Sequence, residues 1–140
     1  MIDVNELKRG NRILCRTAKR SPQFIGVVLS IAKTSVRVYN IDDDQYVNLW
    51  IDAEYCDPLK LSHDEILELG GHINKTEGGY SFKDGPITVY DNQLGWDVWV
   101  YGICVKPYLK YSHELDNLVS VWNPRLNVKS GERAKNNIRA

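Results

Sequence analysis

From Arg12 to Trp50 the chain runs through short β-branched and aromatic stretches spaced roughly ten residues apart, each broken by turn-forming residues. That rhythm constrains the fold more than any other feature, because it leaves no room for the 10–15-residue helices of βαβ units. After a turn over residues 4–11, the stretches are Arg12–Thr17, Phe24–Ile31, Ser35–Tyr39 and Tyr46–Trp50. Ser35-Val-Arg-Val-Tyr39 alternates with period two, as a half-buried strand does. Gly26, inside the second stretch, predicts a bulge or sharp bend. Ala18–Gln23 and Asp42–Gln45 read as exposed turns. The expectation for residues 1–56 is a small SH3-like β-barrel.

Beyond residue 57 the pattern changes. Ser62 followed by Glu65 predicts a capping box, and Gly70 a helix end, so His63–Leu69 reads as a two-turn helix burying Ile66, Leu67 and Leu69. Tyr80–Lys83, Ile87–Tyr90, Trp96–Tyr101 and Ile103–Val105 then read as an antiparallel meander, with turns at 84–86 and 91–95. Ser112 is expected to cap a last helix in which Leu115, Leu118, Val119 and Trp122 form an amphipathic stripe, stopped by Asn123-Pro124. The fold class is therefore α+β: the barrel at 1–56, then helix, meander and C-terminal helix over 57–128. Residues 129–140 are a polar basic tail without periodicity, expected to be disordered.

With 140 residues, 43% of them hydrophobic, the chain can bury a core without disulfides or metal. Its three cysteines, Cys15, Cys56 and Cys104, have neither framework nor zinc spacing and fit reduced thiols in a cytosol. No apolar run is long enough to span a membrane, and the start lacks the pattern of a signal peptide. Eighteen basic residues balance eighteen acidic ones, which removes bulk charge as a reason to bind nucleic acid or anionic membranes. The charge is nevertheless segregated. Lys8, Arg9, Arg12, Arg16, Lys19 and Arg20 fall in a stretch with no acid, whereas Asp42 to Glu68 holds nine acids against Lys60 alone. The simplest expectation is that the two blocks face each other; otherwise the basic block is free to steer a partner.

No motif announces catalysis. His63 and His113 each follow a serine at an expected helix start and read as exposed first-turn residues or local hydrogen-bonding groups. Asp42-Asp43-Asp44 lacks calcium-loop spacing, Gly78-Gly79 opens no phosphate-binding helix, and no cysteine sits where its thiol would be activated. No enzyme, metal site or cofactor is expected. In Trp96–Tyr101, Trp96, Val98 and Val100 fall on one face and Asp97, Trp99 and Tyr101 on the other. The strand is then covered on both sides, or it shows aromatics to a partner.

Three stretches in order resemble a family of small proteins encoded by phages, prophages and mobile elements of Bacteroidetes. They are Glu6-Leu-Lys-Arg-Gly-Asn-Arg-Ile-Leu14, Asp57-Pro-Leu-Lys-Leu-Ser-His-Asp-Glu-Ile-Leu-Glu-Leu-Gly70 and Tyr108-Leu-Lys-Tyr-Ser-His-Glu-Leu-Asp-Asn-Leu118. The first is similar to that family's Leu-x-x-Gly-Asn start, the second to its Pro-Leu and capped helix, the third to its Tyr-x-His-x-Leu-x-Asn-Leu helix. The chain departs in Gly71, where an aromatic is usual, in Asp116 for glutamine, and in the basic tail. The resemblance implies a genomic setting, a buried polar anchor at the helix-start His113, and nothing catalytic. Phage accessory proteins of this size often inhibit host defence, which favours a binding role.

The expectation is thus a cytoplasmic, non-enzymatic inhibitor of a bacterial immune system, of the anti-CRISPR type. It would contact an effector protein or ribonucleoprotein, and its RNA, through Lys8, Arg9, Arg12, Arg16, Lys19, Arg20, Trp96, Trp99 and Tyr101. The alternatives are an oligomeric sponge for a nucleotide immune signal and, behind it, a small enzyme. A homodimer is compatible with either binding role; a membrane partner is not expected.

Overall fold

The computed structural model describes residues 1–75, 78–82 and 86–122, the side chain of Trp122 excepted. The turn at 84–85, the Asn123-Pro124 stop and the 129–140 tail lie outside the described residues. The protein is a mixed α+β chain of mostly antiparallel sheets with two helices, and it divides into two compact units, Met1–Leu59 and a second beginning at Lys60.

In the first unit a single 3-10 turn, Val4–Glu6, capped by the Asp3 carboxylate on the Asn5 N–H at 2.9 Å, leads into β1 (Arg12–Cys15). β2 (Phe24–Ile31), β3 (Ser35–Asn40), β4 (Gln45–Tyr46), β5 (Ile51–Asp52) and β6 (Cys56–Pro58) follow, with a 3-10 turn, Ala53–Tyr55, between the last two. The sheet runs β4-β3-β2-β1-β6, and β5 pairs with β3. It is an open sheet, not the closed barrel expected. Ile13, Cys15, Val28, Val36, Val38, Ile51 and Cys56 fill its core.

Two local expectations fail for identifiable reasons. Gly26 is no bulge: it pairs regularly with Ile13 and Asn40, and the register slips between Val28 and Ser30 instead. Its missing side chain is needed because a Cβ there would lie 3.0 Å from both Cys15 Sγ and Val38 Cβ. Tyr46–Trp50 is not one strand either. The chain leaves the ladder after Val47 N–H donates to Val38, and Leu49 and Trp50 stand nearly half exposed.

The second unit opens with α1 (His63–Glu68), whose N-cap Ser62 accepts from the Glu65 N–H at 3.2 Å and whose end turns through Gly70 at φ 102°. Ile66 and Leu69 are buried as expected, but Leu67 is exposed and Glu65 is buried in its place. The capping box is only half made, because the Glu65 carboxylate is engaged elsewhere, by Ser112. β7 (Gly71–Ile73), β8 (Tyr80–Phe82), β9 (Ile87–Asp91), β10 (Trp96–Val100) and β11 (Ile103–Leu109) form a second antiparallel sheet in the order β11-β10-β9-β8-β7. Tyr101 and Gly102, at φ 50° and 78°, make the two-residue turn joining Val100 to Ile103, the mirror-image geometry that suits twisted hairpins. α2 (Ser112–Trp122) lays Leu115 and Val119 on a core of Phe82, Ile87, Val89, Val98 and Ile66, with Leu118 packed against it. Ser112 begins α2 but does not cap it with its side chain. Gly71 is buried with no room for an aromatic: a Cβ there would meet Ile66 Cγ2 at 2.7 Å.

Candidate functional site

On β1, Ile13 and Cys15 point into the core, so by the two-residue period Arg12, Leu14 and Arg16 share the outer face. Lys8 and Arg9 precede that strand and Lys19 and Arg20 follow it, all four exposed, so the six cations form one stripe along β1. Arg16 is braced by its own loop, with Nη1 donating to the Lys19 carbonyl at 3.4 Å. Arg16 and Lys19 border a shallow hollow with Glu54, Tyr55 and Asp57. Asp57 is already used by the N-terminal ammonium at 3.3 Å and by Gln23 at 3.2 Å. The Glu54 charge, then burial, raises the Tyr55 phenol.

Of the acidic block, Glu54 and Asp57 lie beside Arg16 and Lys19, whereas the 42–44 run is turned to other partners. Asp42 accepts from the Ile25 N–H at 3.0 Å, Asp43 from the Asn40 side chain at 3.3 Å, and Asp44 from the Tyr39 hydroxyl. All three carboxylates are thus bound to their own turn and its neighbouring strands. Among the described residues Lys8, Arg9, Arg16, Lys19 and Arg20 form no ion pair. Sequence reasoning missed the exposed cluster beside β4, where Trp50 and Tyr46 are each 46% exposed and the Arg37 guanidinium sits 5.9 Å from the Trp50 ring centre.

The three aromatics expected to meet a partner are separated by the second sheet. Trp96 is buried on the core face; Trp99, half-buried on the opposite face, meets Tyr90 edge-on at 6.3 Å; Tyr101 is 79% exposed in its turn. Only Trp99 and Tyr101 therefore offer surface on that side. Around Trp96 the sequence showed no motif, yet the fold assembles a cluster. His63 meets Trp96 edge-on at 5.2 Å and bonds through Nδ1 to the Tyr80 hydroxyl, while Tyr80 packs on Trp96 at 5.9 Å. Burial first, then the charges of Asp64 and Asp91, raises the Tyr80 phenol, which stays protonated beside Nδ1. His113 is 2% exposed, as a buried anchor should be, and stacks on Tyr111 at 6.2 Å.

The cysteines are free thiols. Cys15 and Cys56 face each other across the β1–β6 ladder. The Cys15 thiol donates to the Cys56 sulfur, which, with burial, pushes Cys15 far up. Among the described residues no group of three or more His, Cys, Asp or Glu is placed to hold a metal ion, and no helix is long and apolar enough to cross a membrane. Comparison with protein families, curated proteins and solved structures finds no match to the chain.

Proposed function

We propose that this protein is a non-enzymatic binding protein of phage or mobile-element origin that inhibits a bacterial immune effector in the host cytoplasm. The partner is a nucleic-acid-handling effector of the CRISPR ribonucleoprotein kind, engaged through the basic stripe of β1. One observation carries the reading: five cations of that stripe form no ion pair among the described residues, while Asp42–Asp44 are spent on their own turn. Charge left unneutralised by its own fold is available to steer and hold a polyanion. The scaffold is read as an open SH3-like sheet. Support comes from the meander β1-β2-β3, the 3-10 turn between β5 and β6, and the return of β6 to pair with β1. Resemblance to the phage and mobile-element family supplies the biological setting.

The test is affinity for a purified CRISPR ribonucleoprotein across a series of salt concentrations. Five phosphate contacts predict a slope of about −4 in log affinity against log salt. Reversing Arg16, Lys19 and Arg20 together to glutamate should abolish binding and inhibition while moving stability by about 0.5 kcal/mol or less, as exposed positions do. Salt-independent binding, or full potency in the reversed protein, overturns the mechanism.

A further inference from the structure

The second unit contains a cavity of about 660 Å³ beside the His63–Tyr80–Trp96 cluster, within the size range of small-molecule sites. Its walls carry two kinds of surface. The segments carrying Lys60 and Lys110 are joined from distant parts of the chain, because Leu61 N–H donates to the Lys110 carbonyl at 2.8 Å and Lys60 bridges to Tyr111, and both lysines line the cavity. Neither lysine forms an ion pair among the described residues. His63 adds a polar ring edge: Nδ1 is held by the Tyr80 hydroxyl, and Nε2 has no hydrogen-bond partner among the described residues. Trp96, Tyr111 and Leu94 supply flat or apolar surface on the same walls.

The cavity is built rather than incidental. The Trp96 ring is wedged edge-on by both His63 and Tyr80, which fixes one wall in advance of any ligand. Leu94 sits 74% exposed in a turn whose Gln93 is held at φ 75°, with Gln93 N–H bonded to Asp91 Oδ1 at 2.9 Å and Leu94 N–H to Asn92 Oδ1 at 3.0 Å. A non-glycine residue in the left-handed region is costly, and such costs concentrate where a site needs them. Gly95, in the same turn, approaches the Tyr108 backbone so closely that a Cβ would lie 2.9 Å away, and Tyr108 is itself at φ 57°. Asp91 is the one acid among the lining residues, against two lysines, so the walls carry net positive charge.

We propose that this cavity binds a nucleoside 5′-phosphate, as a mono- or short oligonucleotide. Lys60 and Lys110 take the phosphate beside the His63 ring edge; Tyr111 and Leu94 hold the base over the exposed edge of Trp96. A free phosphate would leave the aromatic wall unused, and a neutral aromatic would leave two ammonium groups unanswered. The proposal uses none of the residues of the β1 stripe, so it stands or falls without it.

The experiment is calorimetric titration of the full-length protein with each of the four ribonucleoside 5′-monophosphates. Adenosine and inorganic phosphate serve as the half-ligands. At least one monophosphate should bind ten-fold or more tightly than either half-ligand. Replacing both lysines, K60A with K110A, should weaken that binding at least ten-fold; both side chains are exposed, so the fold is kept, and the melting temperature checks this. H63A should weaken it too, and K19E with R20E should leave it unchanged. Failure of all four monophosphates to bind below about 1 mM overturns the proposal. So does equal affinity for inorganic phosphate alone, or unchanged affinity in the double-lysine variant.

Discussion

Ser112→Ala tests how the second unit is held together. The Ser112 hydroxyl is fully buried and donates to Glu65 Oε2 at 2.5 Å, joining α1 to α2 across 47 residues of chain. Glu65 is itself only 6% exposed, so water cannot replace the lost donor. A hydrogen bond to a charged group contributes about 1.5–3 kcal/mol net, and the alanine removes a single oxygen's volume, so the cost should be about 2 kcal/mol. At about 2–4 °C per kcal/mol for a chain near this size, the melting temperature should fall by about 4–8 °C. Ser62→Ala is the comparison, since it removes an exposed cap whose loss costs about 1 kcal/mol. The assay is urea and thermal unfolding of the full-length protein, with Ser112→Ala, Glu65→Ala and their double variant. The cycle should show a coupling of at least about 1 kcal/mol, with Glu65→Ala the more damaging single change because Glu65 has further partners. A Ser112→Ala variant as stable as the parent, or less damaging than Ser62→Ala, refutes the buried tie.

Tyr39, 1% exposed and bonded to Asp44, has its phenol pushed up, mainly by burial, from 10.0 to about 12. The unfolded chain therefore loses this proton first, so stability is intact below pH 10 and drains away as pH rises towards 12; Tyr39→Phe should flatten part of that alkaline loss in pH-dependent unfolding. Gly95→Ala should cost about 1–3 kcal/mol in a thermal melt, because its Cβ meets Tyr108 backbone and not a yielding side chain; an unchanged melting temperature would show that the two strands separate freely there.

Elements whose side chains alternate were legible in the sequence. Ser35–Tyr39 read as a strand from its alternation, which the buried Val36 and Val38 follow and the buried Tyr39 breaks, and Trp96–Val100 buries every second residue. β7 was not legible, since Gly71 and His72 are poor strand formers; Gly70 reverses the chain there and Phe82 pairs with Gly71. β11 was half read, because its outer residues from Ile103 to Tyr108 are all exposed and show no inward period. Leu67 was expected in the core and Glu65 in a capping box, but Glu65 is buried against a serine 47 residues downstream and Leu67 is left exposed. The same reason hides the cavity: Lys60 and Lys110 become neighbours only through a backbone bond between their segments. The basic stripe was visible as a count of charges, and only the geometry of Asp42–Asp44 decided that it stays unpaired.

The pairing of β1 with β6 also sets a clock. Every other ladder in the first unit joins strands that are neighbours or near-neighbours in sequence, whereas this one joins residues 13–15 to 56–58. Distant pairings carry the larger loop-closure cost and form late. Cys15 and Cys56 are sealed from solvent by that step, while Cys104, in the second unit, is exposed in the folded protein. A pulse of alkylating reagent during refolding therefore dates the completion of the first unit on two of the chain's own thiols, and the third shows that the reagent was present throughout.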